Sequence, residues 1–286
     1  MVVQSAGVDE NTYSLLQGEH PMRILLTNDD GIHAPGIAAM HKALEGLGEV
    51  MTVAPLTVQS ATGHGITFYE PLMSEEVVVN DRMNGFAVDG RPADCVKVAL
   101  RALWQKHHGP DSRPDLVVSG MNSGANVGIN VIYSGTVAAA VEAAFLGVPA
   151  IAVSLHIGTP AKTRYARAAE IARSLIDRVL EHPIDPHSVI NINVPRTESD
   201  DRPMPAVRVV DMNKAVGSSR YDCRQSPDGR DYYWACGSGL DFDHTAGGSD
   251  VEALLAGEAT ITPLDYDLTD HARMTTWRER LESPGS

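Results

Sequence analysis

The stretch Met22-Arg23-Ile24-Leu25-Leu26-Thr27-Asn28-Asp29-Asp30-Gly31 decides how the rest of the chain reads. Residues 22–27 are almost wholly apolar, which suits a short strand buried on both faces. The run then breaks into an amide, two carboxylates and a glycine, residues that make turns. Beyond it Ile37, Met40, Leu44 and Leu47 recur at steps of three and four, the stripe of an amphipathic helix that Gly48 stops. Residues 50–54 begin the next apolar run. Strand, polar loop, helix and strand is the unit from which parallel sheets are built.

The alternation continues in both composition and period. Pro92 opens a helix whose apolar face is Val96, Ala99, Leu100, Leu103 and Trp104, with proline at a tolerated first-turn position. Strands are expected over 115–119, 150–154 and 188–194, and helices over 135–146 and 162–180. The last helix keeps Ala168, Ile171, Ala172, Leu175, Ile176 and Val179 on one side. Right-handed crossovers between such strands give an α/β fold, a Rossmann-like, mostly parallel sheet with helices on both faces, over residues 22–195. Residues 1–21 show no sustained period and read as a disordered N-terminal extension. The charged, proline-rich segment 196–205 reads as a linker. After it come candidate strands at 207–210, 232–235 and 260–263, and Ser249 with Glu252 forms a capping-box signature. Residues 196–286 are thus a C-terminal β-containing extension, expected to pack on the core or on a neighbouring subunit.

Composition narrows the function. The 286 residues are 43% hydrophobic, which excludes wholesale disorder. Lys and Arg total 23 against 37 Asp and Glu, so the net charge of −14 repels a long phosphate backbone and argues against nucleic acid as a partner. The three cysteines, Cys95, Cys223 and Cys236, include no CxxC, so neither a disulfide framework nor a zinc ribbon is indicated. The N-terminus has no basic start followed by an apolar run. The most apolar window, 136–155, is broken by Glu142, Gly147 and Pro149, which fits a buried helix and strand rather than a membrane span. A cytoplasmic protein with no membrane partner is the expectation.

In an open α/β sheet, ligands bind beyond the carboxyl ends of the strands. Asp29 and Asp30 stand at such an end, and two adjacent carboxylates repel unless a cation or a proton intervenes. A hard divalent ion, taking oxygen ligands, resolves that repulsion. An isolated Asp-Asp-Gly is more often a turn or a helix cap. Two further loops shift the balance. One is Gln59-Ser60-Ala61-Thr62-Gly63-His64-Gly65; the other is Gly120-Met121-Asn122-Ser123-Gly124-Ala125-Asn126, followed by Tyr133-Ser134-Gly135-Thr136 at a helix start. Glycines let the backbone approach an anion, and amides at a helix start point at it.

Taken in order, TNDDG, APxxxQSATGHxIT, RPADCV, SGMNSGAN and YSGTV resemble the SurE-type survival proteins, the metal-dependent 5′/3′-nucleotidases. NINVP, YYW and ATITPL extend the resemblance over about 22–268. The resemblance implies hydrolysis of nucleoside 5′- and 3′-monophosphates by metal-assisted in-line water attack, with short polyphosphate as a side substrate. It implies a homodimer or homotetramer built through the C-terminal extension. One divalent cation per subunit, Mg²⁺ or Mn²⁺ with Co²⁺ admitted, falls on Asp29, Asp30, Ser60 and Asn122, the two aspartates being also the catalytic residues. Asn126, Ser134, Gly135 and Thr136 fall on the phosphate side. Two carboxylates, a hydroxyl and an amide carbonyl are indeed an all-oxygen set. Three positions depart from the family pattern: Gly65 where serine is frequent, Arg91 where threonine is, and Ala125 where proline is. Arg91 reads equally as a residue that alters substrate preference or as a solvated side chain.

His64 lies inside the Ser60 loop, where a phosphate contact or proton donation to the leaving oxygen competes with plain loop bonding, the commoner role. His33, His156 and His244 lack the paired spacing of a zinc site. Cys95 reads as core. Trp234 and its tyrosine neighbours suit either base stacking or an oligomer or core contact. Two other classes compete with a nucleotidase: a metal-dependent nucleotide sensor, which would bind without releasing phosphate, and a nucleotide-sugar transferase, which would need a sugar acceptor.

Overall fold

The structure, a computed structural model, describes residues 21–282 apart from 218, 219, 238, 239, 241, 243 and 244. Of the extension read over 1–21 only Pro21 is described, and His244 also lies outside the described residues.

Strand β1 (Met22–Thr27) leads through the Asp29–Asp30 loop into helix α1 (Pro35–Leu44) and strand β2 (Gly48–Pro55). Strands β3 (Ser74–Asn80) and β4 (Met83–Val88) form an antiparallel pair. Helix α2 (Pro92–Val98) passes through a π-turn over Ala99–Leu103 into α3 (Trp104–His108). Strand β5 (Leu116–Ser123) is followed by the single turn α4 (Asn130–Tyr133), helix α5 (Gly135–Phe145), strand β6 (Ala150–Leu155), helix α6 (Tyr165–Leu180) and strand β7 (Val189–Val194). The remainder holds β8 (Val207–Val209), β9 (Arg220–Gln225), β10 (Asp231–Cys236), α7 (Asp250–Leu255), β11 (Ala259–Leu264) and α8 (His271–Glu282).

Nine of the described strands form one sheet in the order β3-β4-β2-β1-β5-β6-β7-β11-β8. The strands from β4 to β7 are parallel, while β3 and β11 run against their neighbours β4 and β7. The doubly apolar reading of β1 has a direct cause. Ile24 and Leu26 face a core layer shared with α1 and α6, whereas Leu25 faces the opposite layer, shared with α2 and α5. Both faces of the strand are therefore dry. The apolar face expected of the Pro92 helix is buried as well, with Trp104 fully enclosed.

The β3–β4 pair, strand β9, the single turn α4 and helix α8 go beyond the expected series. The β3–β4 pair fills a region for which no element was expected, although Val77, Val78 and Val79 suit a strand, and β3 alternates exposed and half-buried residues over its second half at the sheet edge. Strand β9 is polar and exposed along its whole length, so no buried face announces it; it is held by its antiparallel partner β10. Residues 196–286 add β11 and β8 to the edge of the same sheet. Asp250 ties this segment to the site loops: its buried carboxylate accepts hydrogen bonds from the backbone amides of Gly128 and Asn213, both at 2.8 Å. Ser249 caps α7 through the Glu252 amide, as its spacing suggested. All three cysteines are free. Among the described residues no helix is long and apolar enough to cross a membrane.

Candidate active site

From β1 the chain goes out to β2 and β4, and from β5 it goes the other way to β6 and β7, so the strand order reverses between β1 and β5. A crevice opens at such a point. Asp29 and Asp30 follow β1, Asn122 lies at the end of β5, and Ser60 comes in on the loop after β2. The first turn is closed by Asn28, whose side-chain amide donates to the Gly31 carbonyl at 2.9 Å. Gly31 has φ +94°, a conformation that only glycine adopts without strain. The Gln59 amide donates to the Asp29 carbonyl at 2.8 Å, which joins the Ser60 loop to the aspartate loop.

The result is one cavity of 500 Å³ whose wall includes Asp29, Asp30, Ser60, Asn122, Asn126 and Ser134. Asp29 is only 5% exposed, and the Thr136 hydroxyl donates to its Oδ1 at 2.6 Å. Burial raises its pKa, the Thr136 hydrogen bond opposes this and the Asp30 charge adds to it, for a value of about 6. Gly135 is the residue that lets α5 close on this carboxylate, since a Cβ there would come within 2.9 Å of the Asp29 Cβ. Asp30, half-buried, accepts at Oδ2 from the Ser123 backbone amide at 2.8 Å. Asn122 donates from Nδ2 to the Gly124 carbonyl at 2.8 Å, which leaves Oδ1 as its remaining acceptor.

Asn126 is held on every side. Its backbone amide donates to Asn193 Oδ1, its carbonyl accepts from the side chains of Asn191 and Asn193, and its Nδ2 donates to Ser154. Asn191 and Asn193 lie two apart on β7 and so project from the same side of the strand. Ser134 caps α5, its Oγ accepting from the Val137 amide at 3.1 Å. Thr136 and Gly135 stand behind Asp29.

His64 is drawn away from the cavity. Its Nε2 lies 2.8 Å from Oε2 of Glu142, a buried carboxylate on α5 that also has Lys97 Nζ 3.3 Å from its other oxygen. Burial raises the Glu142 pKa, but the His64 hydrogen bond and the Lys97 charge outweigh it and leave the group below its ordinary value. This bond fits the loop-bonding alternative. Glu142 is the only charge among the apolar residues of α5. Sequence reasoning also passed over His156, which lines the cavity and accepts from Arg196 Nε at 3.3 Å. Its burial and the Arg196 charge both lower its pKa. His33 lies exposed on the rim beside Asp30. Cys95 is fully buried, and burial pushes its thiol pKa up. Arg91 donates from Nη1 to the Ile66 carbonyl at 3.3 Å and packs where a Cβ on Gly65 would meet it at 3.0 Å. Two of the departures from the family pattern are therefore neighbours.

Among the described residues no group of three or more His, Cys, Asp or Glu side chains is placed to hold a metal. A cation here would depend on Ser60 and Asn122 to complete the two carboxylates. That donor set is all oxygen, and it fits a hard divalent ion.

Fold and cavity define a doubly wound α/β protein with an oxygen-donor site at its switch point. The family pattern described as Survival protein SurE matches residues 24–217. The chain is 43% identical over 267 residues to the 5′-nucleotidase SurE of Carboxydothermus hydrogenoformans, covering 91% of this chain and 98% of that one. It is 47% identical over 248 residues to the 5′-nucleotidase SurE of Rhodopirellula baltica, covering 87% and 94%. The crystal structure of the SurE protein from Aquifex aeolicus superposes with a TM-score of 0.74 at 34% identity, covering 91% of this chain and 99% of that one. The chain belongs to the SurE family.

Proposed function

We propose that this chain is a divalent-cation-dependent 5′-nucleotidase, a phosphomonoesterase that splits nucleoside 5′-monophosphates into nucleoside and phosphate. The observation that carries the reading is the convergence of Asp29, Asp30, Ser60 and Asn122 on one cavity at the switch point. The shared name of the relatives supports the choice of ester.

Those four side chains would hold a divalent cation such as Mg²⁺ or Mn²⁺, which would supply positive charge against the phosphoryl oxygens. The chain's own groups do the rest. Thr136 fixes Asp29, and the Ser123 amide fixes one oxygen of Asp30. The free oxygen of Asp30 orients a water in line with the ester oxygen. The start of α5 places the Ser134 hydroxyl on the cavity wall, a fixed donor for the charge that spreads over the phosphate in the transition state. The aspartates are adjacent rather than spaced as Asp-x-Asp, which supports direct attack by water over an aspartyl intermediate. Direct attack is a single displacement and inverts a chiral phosphorus centre, whereas the two displacements of an aspartyl intermediate would retain it.

Activity on 3′-monophosphates and short polyphosphates is included on the family resemblance alone. Assembly as a dimer or tetramer through residues 196–286 has a physical support. Tyr221, Tyr233 and Trp234 stand exposed on the β9–β10 hairpin, and α8 buries no residue within one chain. Large apolar area of this kind marks a contact surface.

The test is phosphate release from adenosine 5′-monophosphate by chelator-treated protein with and without added Mn²⁺. Release should require the metal, and Asp30→Asn should lower it at least about a hundredfold while the circular dichroism spectrum is kept. Near-normal turnover by the folded variant would overturn the reading.

A further inference from the structure

A second cavity, of 610 Å³, shares the His156 wall with the first and has no other residue in common with it. It is enclosed by α6, by residues 195–206 after β7 and by the end of α7. Three arginines line it from separate stretches of chain: Arg167 in the first turn of α6, Arg196 just after β7, and Arg202 in the proline-rich segment. One carboxylate, Glu198, stands on the same wall, where its Oε1 accepts from the Thr159 amide at 2.7 Å. The first cavity differs. Among the described residues no lysine or arginine lines it.

We propose that this second cavity is an anion site that binds a phosphate group outside the reacting centre. The proposal stands apart from the nucleotidase reading, because neither Asp29 nor Asp30 takes part in it.

The segment that carries Arg196 and Arg202 is fixed on α6. Arg167 donates from Nη1 to Glu170 and from Nη2 to the Arg202 carbonyl, both at 3.0 Å. Thr197, buried, donates from Oγ1 to the Arg164 carbonyl at 3.1 Å, and its own carbonyl accepts from the Arg164 amide at 2.9 Å. Gly158 leaves the space beside them, since a Cβ there would collide with Glu198 and the Arg196 side chain. Arg196 spends only Nε, on His156 at 3.3 Å, and among the described residues neither Arg196 nor Arg202 has an ion pair. On a chain of net charge −14, a wall with three guanidiniums and one carboxylate is a local reversal of sign. The guanidinium fork matches phosphate oxygens, and a tetrahedral anion accepts donors arriving from several directions, whereas a carboxylate offers one planar edge. The volume falls within the roughly 300–1,000 Å³ usual for small-molecule sites. Two sources supply such a group: free inorganic phosphate, or a second phosphate on a substrate whose first lies across His156.

The experiment is isothermal titration calorimetry of the chelator-stripped full chain with inorganic phosphate, tripolyphosphate and succinate. Without a cation the first cavity offers two carboxylates and no basic side chain, so it contributes no anion binding. Phosphate or tripolyphosphate should bind at one site per chain with a Kd of about 1 mM or tighter, and succinate at least about tenfold more weakly. Arg196→Gln and Arg202→Gln, both at exposed positions, should each weaken binding about tenfold, while Asp30→Asn leaves it unchanged. In the metal-loaded chain, a loss of kcat/KM in Arg202→Gln for tripolyphosphate but not for adenosine 5′-monophosphate assigns the site to a substrate's second phosphate. No such difference assigns it to free phosphate. No binding by the stripped wild type, binding untouched by both arginine variants, an equal loss in Asp30→Asn, or succinate bound as tightly as phosphate would overturn the site.

Discussion

The hydroxyl of Thr136, in the first turn of α5, lies 2.6 Å from Oδ1 of Asp29, in a spot where neither residue is more than 5% exposed. Charge-assisted hydrogen bonds of this kind contribute about 1.5–3 kcal/mol. Thr136→Val keeps the shape and removes the donor, so kcat/KM should fall roughly ten- to a hundredfold. Thr136→Ser should retain most of it. Steady-state kinetics on the three proteins check this, and a valine variant as active as wild type would show that the bond does not hold the carboxylate for catalysis.

The Glu142 carboxyl gives a pH dependence of stability. His64 and Lys97 keep its folded pKa below the ordinary 4.5. Such a group stabilises the fold in full above its unfolded pKa, and the contribution is lost as pH falls through the lower, folded value. The stability gap between wild type and Glu142→Gln should therefore shrink as pH falls below about 4.5. Urea unfolding across pH 4–8 measures it. A gap that widens on acidification would contradict the assignment.

Gly65 and Arg91 should be energetically coupled. A serine at 65 puts its Cβ where Arg91 packs and displaces the guanidinium from the Ile66 carbonyl. The cost should be about 1 kcal/mol or less, because the obstructing group is a flexible side chain. With Arg91→Thr in place, Gly65→Ser should cost nothing measurable. A double-mutant cycle by denaturant unfolding reports this directly; strict additivity would mean that the two departures arose independently of one another.

Much of this was legible because burial leaves a strong trace in sequence. β1, β6 and the first half of β5 are apolar runs because both sheet faces are covered, and α1 and α6 carry their stripe because one face is. The three loops at the strand ends were legible through their glycine, hydroxyl and carboxylate content. The β9 strand was not, since all six of its residues are exposed and no apolar period marks it. Nor was the role of His64. Its partner Glu142 is 78 positions away, and only the packing of α5 against the Ser60 loop brings the two together. Arg91 was ambiguous by itself, because where its side chain lies depends on the space that Gly65, 26 positions earlier, leaves beside it.

The most direct test of the central claim is Mn²⁺ binding itself, followed by electron paramagnetic resonance of free Mn²⁺ during titration of the chelator-stripped protein. One site per chain is predicted, weakened at least about a hundredfold in Asp30→Asn, the loss of one charged ligand from a set of four. Equal Mn²⁺ affinity in wild type and Asp30→Asn would contradict it, for then the cavity at the switch point would not be where the cation is held.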